Sequence, residues 1–257
     1  MTRRFALIIV ALASTASLVL AACNATPAAS PISDPKEILV QTVLSLKDVK
    51  TVEFTGSLTG QLTIPQLGSP IDLSTATFSG QLDIAGKAKV TFSAPSFLGT
   101  RIDAVVVDKA AYYKIAGPLA AMLGASADRY KKTDIPEASG KPVTDPVEVA
   151  KKIDEFRTAL DKLPTPPTKG ADEKCGDQDC YHITLNVSAA DMKALGSTST
   201  TDGTFVLDIW SRKNDLRPAK IVIAVTTPET GTIGATFDLK YDVTVSVEAP
   251  PADQIAP

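Results

Sequence analysis

Residues Ile233–Glu248, IGATFDLKYDVTVSVE, alternate with a period of two. Phe237, Leu239, Tyr241, Val243, Val245 and Val247 fall on one side; Asp238, Lys240, Asp242, Thr244, Ser246 and Glu248 fall on the other. Successive side chains of a strand point to opposite faces, so the pattern predicts a strand buried on one face only. Val52–Leu62 repeats it: Val52, Phe54, Leu58 and Leu62 oppose Glu53, Thr55, Ser57, Thr59 and Gln61, with Gly56 and Gly60 between them. Shorter runs predict strands at Thr77–Ile84, Lys87–Ser93, Arg101–Asp108, Ala111–Ile115, Tyr181–Val187, Thr204–Ser211 and Ala219–Thr227. Gly86 and Asp108-Lys109 supply turns between neighbours.

Helical signals lie between these strands. Asp34-Pro35-Lys36-Glu37 is a helix start, with Ile38, Leu39, Val43 and Leu46 at helical spacing through about Leu46. Gly117–Leu123 reads as a short helix with Leu119, Met122 and Leu123 on its apolar side. Asp145-Pro146-Val147-Glu148 opens a longer one, along which Val149, Ile153, Phe156, Leu160 and Leu163 form a stripe until Pro164 and Pro166 end it. Ser188 and Asp191 bracket the first turn of a short helix ended by Gly196.

Strands with one polar and one apolar face imply a single α+β domain: one large antiparallel sheet whose apolar face is covered. The simplest cover is a strongly curved half-barrel sheet with helices lying across its concave apolar side. The space between is either a filled core or a cavity, since both demand the same inward stripe. Phe54, Leu58, Phe92, Tyr113, Phe205, Leu207, Ile209, Ile223, Phe237, Leu239 and Tyr241 are the inward candidates from the sheet. Leu119, Met122, Leu123, Ile153, Phe156 and Leu160 are those from the helices. If the space is open, these line an acyl-chain site, which needs dry and shape-tolerant walls.

The chemistry excluded is as informative. A formal net charge of −3, with charges scattered singly, argues against a nucleic-acid partner. No Gly-x-Ser-x-Gly elbow and no glycine-rich phosphate loop occur. The single histidine, His182, alternates with Tyr181 and Ile183 in a strand, which suits a structural role. No metal or cofactor is expected: zinc normally takes four ligands, and Asp172, Glu173, Asp177 and Asp179 read as a solvated acidic turn. The expectation is a protein that is not an enzyme.

The N-terminus fixes the compartment. Arg3 and Arg4 precede an apolar run from Phe5 to Leu20, followed by small residues, the layout of a secretory signal. Leu20-Ala21-Ala22-Cys23 resembles the lipobox of bacterial lipoproteins. The resemblance implies cleavage after Ala22 and a diacylglyceryl thioether on Cys23, which places the protein on the extracytoplasmic face of the cell membrane. Asn24–Ser33, small and proline-bearing, reads as a tether, and Ala249–Pro257 as a disordered tail. The organisation is therefore a signal peptide over 1–22, a tether over 23–33, a folded domain over 34–248 and a tail over 249–257. With Cys23 lipidated, Cys175 and Cys180 remain, and an exported pair this close is most simply a disulfide.

Three further segments carry a family resemblance: the strand VEFTGSLTGQL, the segment Ala111-Tyr112-Tyr113-Lys114-Ile115, and the hairpin TFVLDIWSRKNDLRPAKIVIAV, Thr204–Val225. Together with the lipobox they resemble the LppX/LprAFG lipoproteins of mycobacteria and relatives, similar in fold to the LolA/LolB carriers. The resemblance implies a half-barrel closed by helices around an apolar cavity for acyl chains, and movement of lipids or lipoglycans across the cell envelope. A membrane transporter would be a further partner of such a carrier. The alternative is a structural or partner-binding envelope lipoprotein with a solid core.

Overall fold

The computed structural model describes residues 32–63, 70–83, 86–118, 120–121, 124–134, 146–194, 203–228 and 231–256. Asp34–Pro257 forms one compact unit. Among the described residues, no helix is long and apolar enough to cross a membrane.

The strands are β1 (Thr51–Thr59), β2 (Gln61–Leu62), β3 (Ile71–Asp72), β4 (Thr77–Asp83), β5 (Lys87–Ala94), β6 (Thr100–Val107) and β7 (Ala110–Ala116). They continue as β8 (Lys131–Asp134), β9 (Thr168–Lys169), β10 (Glu173–Cys175), β11 (Gln178–Ser188), β12 (Thr204–Arg212), β13 (Pro218–Thr227) and β14 (Gly231–Tyr241). The helices are α1 (Pro35–Ser45), α2 (Pro146–Lys162) and α3 (Ala189–Ala194). Twelve strands make one antiparallel sheet in the order β10-β11-β12-β13-β14-β1-β4-β5-β6-β7-β8, with β9 beside β11; β2 and β3 form a separate ribbon. The end strands β10 and β8 do not meet, so the sheet is an open half-barrel.

Register puts the apolar set on one face. Phe54 lies opposite Leu239 and Gly80; Gly56 lies opposite Phe237 and Phe78. The row through Gly80 continues to Val90, Ala104 and Tyr113, and Phe237 continues to Ile221, Ile209 and Ile183. A slip of one residue would turn this whole set to the other face, so the pattern specifies the register. Two cross-strand pairs fit reciprocally: a Cβ at Gly80 would stand 2.3 Å from the Phe54 ring, and one at Gly56 2.3 Å from the Phe78 ring. Each phenyl lies over the glycine opposite it, and both rings meet Phe237, with centroids 6.4 and 4.8 Å away.

Helices cover the β11 end of this face. Asp34 caps α1 by accepting from the Lys36 N–H at 3.0 Å, with Pro35 in the first turn. Ile38, Leu39, Val40 and Thr42 are buried, and Thr42 Oγ1 meets Ser211 Oγ at 2.6 Å. α2 packs on α1, bridged by Lys36–Asp161 at 2.7 Å and Glu37–Arg157 at 3.8 Å. Ser188 and Asp191 form a reciprocal cap at α3, in which Asp191 Oδ2 accepts the Ser188 N–H at 2.7 Å. Asp108 and Lys109 both take left-handed φ, 51° and 62°, as a two-residue hairpin with the sheet's twist requires.

Several expectations are corrected. The run over Val52–Leu62 breaks at Gly60, φ 95°, and Gln61–Leu62 leaves the large sheet to pair with β3. Residues 168–176, where no strand is expected from the sequence, contain the edge strands β9 and β10. The strand expected over Ile233–Glu248 ends at Tyr241, because Asp242 adopts φ 54° and its carboxylate accepts from Lys50 N–H and Arg217. Val243–Glu248 leaves the sheet as a strap, whose Val247 is buried against Val105, Val107, Ala110 and Tyr112 on the opposite face. The alternation there reflects Val247's own partners and not a ladder. The tail expected to be disordered is held by backbone bonds: Tyr130 N–H donates to Gln254 O at 2.7 Å, and Ala256 N–H to Tyr130 O at 2.8 Å. Of the short helix expected at Gly117–Leu123, Leu119, Met122 and Leu123 lie outside the described residues.

Gly56 is the sharpest test of the register. A Cβ there would also stand 2.2 Å from Thr236 O, so Gly56→Ala should lower stability by ~1–3 kcal/mol, although alanine fits a strand better than glycine. Urea denaturation checks this; an unchanged or raised midpoint would contradict the phenyl-on-glycine packing.

Candidate functional site

The large apolar face is the first candidate. Phe54, Leu58, Phe92, Tyr113, Phe205, Leu207, Ile209, Ile223, Phe237, Leu239 and Tyr241 all project from this one face, and all are only half-buried. Phe78, Val90, Ile102 and Ile221 share the face and were missed. Gly80 interrupts the alternation at Thr77–Ile84, but its parity with Phe78 would have found that ring. Ile153 and Leu160 are buried on α2, and Phe156 is half-buried. Leu119, Met122 and Leu123 lie outside the described residues.

Cover over this face is uneven. Beneath the helices, Ile183 is 0% exposed and Tyr181 5%; farther along the sheet Leu82 is 39% exposed and Val225 41%. None of the phenylalanines at the sheet centre is buried. An apolar face left open along its middle is the usual mark of an interaction site. This surface offers chiefly dispersion contacts, with the phenols of Tyr113 and Tyr241 at its margins.

Tyr241 closes one end of the face. Arg212 and Arg217 lie over its ring at 5.4 and 5.7 Å, each held by an aspartate: Asp215 for Arg212 at 2.6 Å, and Asp242 for Arg217. Burial pushes the Tyr241 phenol well above the ordinary tyrosine range, and the two guanidinium groups offset only part of that.

The opposite, polar face carries a constellation that sequence reading did not assemble. His182 Nε2 lies 3.0 Å from Asp208 Oδ1, and its Nδ1 lies 3.2 Å from Glu173 Oε1. The imidazole stacks on Trp210 at 4.2 Å and 7°, and Trp210 Nε1 donates to Glu173 Oε2 at 2.8 Å. Thr184 Oγ1 donates to Asp208 Oδ1 at 2.5 Å. Asp208 and Asp215 thus belong to His182 and Arg212 respectively. Cys175 and Cys180 form a disulfide across β10 and β11, with Cα atoms 6.0 Å apart. It pins the edge strand that carries Glu173. No cluster of metal-ligating side chains occurs among the described residues.

The sequence matches no protein-family model and no curated protein. Among solved structures, the chain is similar to the Mycobacterium tuberculosis lipoprotein LppX, at 12% identity and a TM-score of 0.50, over 83% of this chain and 98% of that one. It is similar to LprF from Mycobacterium bovis at 14% identity and a TM-score of 0.48, over 84% and 96%. A structure of Pseudomonas aeruginosa MucB with MucA matches at 11% identity and a TM-score of 0.38, over 87% of this chain and 60% of that one. The likeness to LppX is one of fold, and the fold is the LppX type expected from the sequence.

The Tyr241 environment has a measurable consequence. In the unfolded chain the phenol ionises near its ordinary value of about 10, whereas in the folded chain it keeps its proton above that. The folded state then binds more protons, so this contribution is intact below pH ~10 and stability falls as pH rises beyond it, by at most ~1.4 kcal/mol per pH unit. Urea midpoints of Tyr241→Phe should therefore fall less steeply than wild type through the alkaline range. Parallel curves would contradict a buried phenol.

Proposed function

We propose that this protein is an envelope lipoprotein, anchored through Cys23, that holds acyl chains of a lipid or lipoglycan on the apolar face of its half-barrel and carries them across the cell envelope. In this reading Met1–Ala22 is the removed signal, and Cys23–Ser33 tethers the folded domain to the extracytoplasmic face of the membrane. Two or more acyl chains on the anchor hold it firmly, since each buried CH₂ contributes ~0.8 kcal/mol.

One observation carries the proposal: the phenyl-rich centre of a twelve-stranded sheet is half-exposed, while the same face under α1 is fully buried. Apolar surface removed from water contributes ~25 cal/mol per Å², so the open stretch gains by taking up a chain. Binding of this kind needs no reacting group, and the action proposed is carriage and not catalysis. Among the described residues, every buried side-chain nitrogen or oxygen already has a hydrogen-bond partner. The interior therefore asks nothing polar of its occupant.

The test uses exported protein with Cys23→Ala, which removes the thiol the anchor needs. It should be recovered without detergent and yield lipid on solvent extraction. Ile223→Lys places an ammonium at the middle of the apolar face, where a buried alkyl chain would strand it. Lipid yield should fall roughly tenfold or more, the effect of ~1.4 kcal/mol, with the fold intact because the position is half-exposed. Protein that never carries lipid, or that keeps it in Ile223→Lys, would overturn the carrier reading and favour a protein partner as the cover.

A further inference from the structure

The polar face of the sheet holds a second concavity, on the side away from the apolar centre. Register sets His182, Trp210, Lys220, Asp238 and Thr55 in one row across β11, β12, β13, β14 and β1. Over that row opens a cleft of about 620 Å³, rimmed on one side by the disulfide-pinned hairpin at Lys174–Gln178 and on the other by the Glu53–Lys240 pair, 3.3 Å apart. This volume lies within the usual range of small-molecule sites.

Its main wall is built in advance. The Trp210 indole has His182 stacked on one ring face, and its Nε1 is fixed by Glu173. The other ring face, toward β13, carries the Lys220 ammonium, 4.7 Å from the ring centroid. A cation–π contact at a partly exposed site is worth ~0.5–1 kcal/mol, so an incoming group displaces it readily. Asp238, beside Lys220 in register, makes no ion pair among the described residues.

The lining selects the ligand class. Lys174, Lys220 and Lys240 mix with Glu53, Glu173, Asp177 and Asp238 around the cleft, the Arg212 guanidinium being turned to Tyr241, so a small ion of either sign meets repulsion as well as attraction. A neutral polyhydroxylated ligand does not, because each hydroxyl both donates and accepts and can pair with either kind of side chain. The flat indole face adds an apolar platform for the C–H side of a sugar ring. We propose that this cleft is a saccharide-binding site, separate from the acyl-chain face. Its sugar comes either from a free envelope glycan or from the head of a glycolipid.

Trp210 is the single tryptophan of the chain, so its emission reports the cleft directly. The full chain, held in a sugar-free polyoxyethylene detergent, is titrated with neutral disaccharides of glucose, galactose and mannose, then with glycolipids bearing the same sugars. At least one should shield Trp210 from acrylamide, saturably. Lys220→Met, which keeps the apolar stem, and Asp238→Asn should each raise the midpoint roughly tenfold, with unchanged far-UV circular dichroism. Shielding by the free disaccharide identifies an envelope glycan as the source; shielding by the glycolipid alone, still lost in Lys220→Met, identifies a lipid head. Emission indifferent to every member of the panel, or a response that survives both substitutions, overturns the site.

Discussion

Phe54 and Phe78 lie across Gly80 and Gly56, and that reciprocal packing locks the central strands β1 and β4 in register. It holds two phenyl rings flat against the backbone at the middle of the sheet, where an ordinary side chain at either glycine would lift them. With the register fixed there, every even-spaced apolar residue from β11 to β7 is committed to one face. A sheet so committed must be covered, by its own chain or by something else.

The chain covers only part of it. α1 and α2 close the β11 end, joined to each other by ion pairs and to the sheet by the buried Thr42–Ser211 contact. The C-terminal strap is spent on the other face, where Val247 fills a small core at β6 and β7 and the last residues pair with Tyr130. Strap and helices thus sit at different places on opposite faces. The middle of the apolar face is left half-exposed, and the polar face keeps an open cleft walled by Trp210.

Much of this was legible in the chain. Period-two alternation found the long strands, and the Asp-Pro start found α1 down to its capping contact. What escaped has local physical causes. Gly60 and Asp242 take left-handed backbone, and each ends a strand whose apolar alternation runs on beyond it. The alternation at Val243–Val247 mimics a ladder because one of its valines is buried by side-chain packing alone. The edge strands β8, β9 and β10 are short and polar, so they carry no alternation to read. The apolar face was readable residue by residue, since parity decides it. The cleft was not, because His182, Trp210, Lys220 and Glu173 lie far apart in sequence and meet only through cross-strand register.

The claim that matters most is that an alkyl chain, and not protein, completes the apolar face. A fatty acid carrying a diazirine near its terminal methyl, bound to the exported protein and irradiated, reports this by the positions it labels. The account predicts adducts on the apolar-face residues of the central strands, such as Phe54, Phe78, Ile223 and Phe237. Labelling confined to the polar face, or no labelling of the folded protein at all, would contradict it.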